Sequence, residues 1–79
     1  MTKLEYGKCV KLMEEAIRNA KQSSEEYKAY NQLLNVDTIK AETEQRKADQ
    51  HYGYAEGINQ VLATLGFKHD RMKELSELL

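Results

Sequence analysis

Apolar residues return at steps of three and four from Val10 onward, and that spacing constrains the fold more than any other feature. Val10, Met13, Ile17, Ala20, Tyr27 and Leu34 lie on one stripe of a 3.6-residue helix. Ser24 and Asn31 fill the two missing steps, so the seam has coiled-coil spacing but is interrupted. The chain has no proline, few β-branched residues and an abundance of Glu, Lys, Gln, Leu and Ala. Such a composition favours helix throughout. The pattern predicts a first helix over residues 2–34. Ser23 and Glu26 have capping-box spacing, which could open a new helix there. With no Gly or Pro nearby to turn the chain, one continuous helix is expected.

Asn35-Val36-Asp37 is the clearest break. Asn tolerates the left-handed conformation that ends a helix, and Asp37 is a good N-cap for the next one. A connection this short implies an antiparallel hairpin, with a second helix over residues 38–65. Gly66 then suits the C′ position, with Phe67 folding back on the last turn. Asp70 is placed to cap a short third helix over 71–79, whose apolar side is Met72, Leu75, Leu78 and Leu79.

Equal rise per residue puts positions whose numbers sum to ~72 at one height. Tyr30 then falls near Ala41, Tyr27 near Gln45 and Ala48, Ala20 near Tyr52, and Ile17 near Ala55. Large repeatedly meets small, as a close-packed helix pair requires. No Leu, Ile, Val, Met or Phe lies between Lys40 and Gly57. The aliphatic core is therefore expected at the open end of the hairpin, where Val61, Leu62, Leu65 and Phe67 gather with Leu4, Val10 and Met13.

The expected fold is one all-α domain over residues 1–79. A chain of 79 residues hides little more than ~60% of the surface it exposes when unfolded. Small scaffolds often make up the difference with disulfides, metals or oligomerisation. Cys9 is the only cysteine, so an intrachain disulfide is excluded and a reducing, cytoplasmic compartment is expected. Cys9, His51 and His69 lack the spacings that preorganise a zinc site, and no metal or cofactor is predicted. Leu4, Leu12 and Leu33 lie off the Val10–Ile17 stripe, which predicts contacts on two sides of helix one. The expectation is a homodimer that completes a four-helix bundle.

The 12 basic and 13 acidic residues, for a net charge of −1, are intermixed. That balance lacks both the basic footprint of a typical nucleic-acid binder and the acidic excess of a DNA mimic. No apolar run approaches the ~18 residues of a membrane span. Phosphate-binding loops, nucleophile elbows and His–carboxylate spacings of note are missing, and the chain is read as non-enzymatic.

One stretch of helix two stands out: His51-Tyr52-Gly53-Tyr54-Ala55-Glu56-Gly57. With the apolar arc centred on Ile58, Tyr54, Val61, Leu62 and Leu65 fall within ~60°, with Ala55 at the edge and His51 inside. Gly53 and Gly57 fall ~100 to 140° away, beside Arg46, Gln50 and Thr64. Together they weaken the helix by ~2 kcal/mol relative to alanine. They read either as a notch where another backbone approaches or as a tolerated weak point. Tyr27, Tyr30, Tyr52 and Tyr54 flank the same stalk, and tyrosine suits surfaces that are apolar on one side and wet on the other.

The function expected from these features is a small protein–protein interaction module. It would act as an inhibitor, antagonist or regulatory adaptor of a larger protein, with Tyr27, Tyr30, Tyr52, Gly53, Tyr54 and Gly57 as interface candidates. The competing reading is a DNA-binding regulator. Residues 62–79 loosely look like a helix-turn-helix, with Lys68, Arg71 and Lys73 near the start of the second helix. Its brevity, and Glu74 and Glu77 directly after, count against that reading.

Overall fold

A computed structural model of residues 1–79 shows three helices: α1 (Lys3–Leu33), α2 (Thr38–Thr64) and α3 (Met72–Leu78). The all-α hairpin is as the spacing predicts. α1 and α2 pack along their length and α3 lies against α1, giving a rod of 51 × 17 × 16 Å. No helix is long and apolar enough to cross a membrane.

Local chemistry sets the helix ends. Thr2 and Glu5 form a reciprocal capping box that satisfies two amides at the start of α1. α1 runs unbroken through Ser23 and Ser24. Asp37 caps α2 through the Lys40 amide at 3.1 Å. At its far end, Gly66 takes φ +73°, and its amide donates to Ala63 O while the Phe67 amide donates to Leu62 O, both at 3.0 Å. That pair of bonds is the Schellman arrangement expected of Gly at C′.

Two of the expected ends differ. Asn35 does not turn left-handed, since no residue but Gly66 has positive φ. The Val36 and Asp37 amides instead both reach back to Leu33 O, closing α1 with right-handed geometry. Asp70 does not cap α3. The chain already turns helically at Arg71, and its amide takes the His69 imidazole at 3.1 Å as acceptor.

The core sits at the open end, the base. Met13, Ile17, Leu62 and Leu75 are fully enclosed, Phe67 and Cys9 nearly so, and Met72, Leu78 and Leu79 pack against them. Val61, Leu65 and Leu4, expected in that core, are instead mostly exposed. The reason lies in which face α2 turns inward. Its buried residues are Ala41, Ala48, Ala55 and Leu62, an unbroken seven-residue repeat. That stripe lies ~40 to 100° round the helix from Ile58. Alanines offer little apolar area, but they let α1 come close along the whole hairpin, and close packing decides the face.

On α1 the buried positions are Cys9, Met13, Ala16, Ile17, Ala20, Ser23 and Glu26. The expected stripe through Ser24, Asn31 and Leu34 is exposed. Toward the loop α1 turns Ser23 and Glu26 inward instead, ~100° and ~160° round the helix from Ser24.

Candidate functional site

Toward the loop the hairpin is held by polar contacts. The Ser23 hydroxyl, buried, donates to Ala48 O at 2.9 Å. Glu26, 5% exposed, meets His51 Nδ1 at 2.5 Å. Helical antiparallel geometry brings these partners to one level although they stand 25 residues apart. His51 is thus the partner of a buried carboxylate. His69 stacks on Phe67 at 6.0 Å, and Cys9 lies inside the base core.

The four stalk tyrosines take separate roles. Tyr27 donates to the Asp49 carboxylate, and that hydrogen bond raises its pKa above the usual tyrosine value. Tyr30 is half-buried near the loop. Tyr52 donates to Leu79 O at 2.7 Å and pins the end of α3. Tyr54 donates to Glu15 Oε2 at 3.1 Å, which likewise raises its pKa, first through the hydrogen bond and then through the carboxylate charge.

Tyr54, Gly53 and Gly57 do come together. With Leu12, Ile58 and Val61 they line an open groove of about 440 Å³. This corrects the projection from sequence. Because the inward face is the alanine stripe, Tyr54, Val61 and the glycines share one outward flank. A Cβ built on Gly53 or Gly57 meets nothing within 4 Å, so no part of this chain explains the glycines. From Gln50 to Gly66 the only formally charged residue is Glu56, in a chain that is 32% charged. Charge-poor outward flanks mark interface cores.

The groove faces away from α3. Tyr52, which meets α3, and Tyr54 are ~160° apart round α2. Lys21, which pairs with Glu74 of α3 at 3.1 Å, and Leu12 are ~180° apart round α1. One flank of the hairpin is therefore covered by α3 and the other is left open.

A second apolar surface lies at the loop. Val36 is 81% exposed, Ile39 78% and Leu34 44%, so the tip of the rod presents three large apolar side chains outward. Sequence reasoning missed it, although Val36 and Ile39 stand beside the predicted turn, where no helix face can shelter them.

Lys68, Arg71 and Lys73 are all exposed. Arg71 Nε donates to Glu74 at 3.1 Å, so its charge is already partnered. Lys21 and Arg71 together hold the Glu74 carboxyl below its usual range. α3 itself is only 7 residues long. Comparison with protein-family models, curated proteins and solved structures finds no match for this chain.

Proposed function

We propose that this chain is a small, non-enzymatic protein–protein interaction module. It acts as an inhibitor, antagonist or regulatory adaptor by binding a larger protein with the tip of its rod. The observation that carries the reading is where the large apolar side chains stand. Leu34, Val36 and Ile39 at the tip, and Leu12, Val61 and Leu65 at the base, are outside the core. Single exposed apolar residues are ordinary, but clusters of them mark binding surfaces. Val36 and Ile39 are too exposed to contribute much to the fold, so their apolar side chains are free for a contact made elsewhere.

The test is affinity capture from the native cell by the tagged chain and by its Val36→Asp/Ile39→Glu variant. The wild type should retain a protein that the variant loses, with helicity by circular dichroism unchanged. An identical set of captured proteins would reject the tip as the binding surface.

A further inference from the structure

We infer that the groove at the base receives a second copy of this chain, the two α2 helices lying antiparallel across a two-fold axis. Three observations select that occupant. The first is shape. Val61 and Leu65 are exposed knobs and Gly53 and Gly57 an unfilled notch, all on one flank of α2. Knobs and notches are each spaced by four residues. An antiparallel copy therefore seats Val61 over Gly57 and Leu65 over Gly53 in both directions at once, which is the self-complementarity a two-fold interface demands.

The second is area. A compact monomer of this mass exposes about 4,900 Å², whereas this chain exposes 5614 Å². The excess, about 700 Å², is close to the ~800 Å² that each partner contributes to a stable interface.

The third is charge. The α2 residues that line the groove, Gly53, Tyr54, Gly57, Ile58 and Val61, carry no charge, so no like charges are forced together there. On α1 the groove is lined by Leu12, so the whole lining that a second copy would meet is uncharged. The same axis leaves the two tips pointing in opposite directions. A dimer then presents two binding ends, a bridging role that rests on the reading of the tip given above. The self-pairing does not depend on it.

Sedimentation equilibrium of the full chain from 1 to 200 µM tests the pairing. The wild type should pass from monomer to dimer in that range. Gly53→Ala/Gly57→Ala fills the notch without touching anything in the monomer and should weaken dimerisation at least tenfold while raising helicity. Val61→Glu should abolish it. A wild-type chain that stays at 9.2 kDa throughout overturns the inference, as does a double alanine variant that dimerises like the wild type. Loss of capture by the tip variant with dimerisation intact, or the reverse, separates the two proposals.

Discussion

The two ends of the hairpin hold together by different chemistry. At the base, Met13, Ile17, Leu62, Phe67 and Leu75 make a core of large apolar side chains under α3. Along the stalk the buried groups are Ala41, Ala48, Ser23 and Glu26, none of which belongs to that core. Apolar area therefore supplies stability at the base. In the stalk, small residues let the helices approach, and hydrogen bonds between them specify which residues face one another. A carboxylate and a hydroxyl can be satisfied in one register only, whereas alanines tolerate several.

The largest effect is expected where apolar burial is concentrated. Leu62→Ala removes a fully enclosed side chain from the core it shares with Met13, Ile17 and Phe67, and should cost about 2–5 kcal/mol. Domains of this kind have only about 5–15 kcal/mol in total, so urea denaturation should show the midpoint fall steeply or the transition vanish. A loss under 1 kcal/mol would mean that the base is not the stabilising region.

Removing polar contacts from the stalk should cost less and should be recoverable. His51→Ala leaves the buried Glu26 carboxylate without its donor, a loss of about 1–3 kcal/mol. Adding Glu26→Leu removes the orphaned group and should return much of that stability. If the double variant is no better than the single one, His51 matters for packing and not as a hydrogen-bond partner. Ser23→Ala deletes one neutral hydrogen bond to Ala48 O and should cost about 0.5–1.5 kcal/mol by the same measurement.

The same contrast explains what could be read from the sequence. Asp37, Gly66 and Phe67 were legible because caps and turns are local, set by a residue's own backbone preferences. The hairpin was legible because its connection is too short for anything else. The inward face of α2 was legible in part. Antiparallel pairing set Ala41, Ala48 and Ala55 opposite α1, where they are buried, but the projection centred on Ile58 weighted Tyr54, Val61 and Leu65 and left Ala55 at its edge. The seven-residue series 41, 48, 55, 62 is plain in the sequence once small size is taken as the signal. The groove was lost with that face: its glycines were recognised but set apart from Tyr54 and Val61, their true neighbours. The Glu26–His51 pair joins two helices, so nothing in either helix alone announces it.

The smallest effect concerns how α3 is held beside the core. Leu75 is buried and Tyr52 binds Leu79 O, so the Lys21–Glu74 pair is one attachment among three. Glu74 is held below its usual range, first by the Lys21 hydrogen bond and then by Arg71. A depressed carboxylate stabilises the fold above its unfolded pKa, and that contribution is lost as pH falls through the folded value. Both partners are well exposed, and solvent screening leaves such pairs nearly neutral in stability. Carbon-detected NMR titration should therefore find the Glu74 midpoint below that of an ordinary glutamate, and Lys21→Gln should move it upward with the melting temperature unchanged. A midpoint that does not move would show that Arg71 alone sets it. A large fall in melting temperature would instead make the ion pair, not Leu75 and Tyr52, the attachment that keeps α3 on the hairpin.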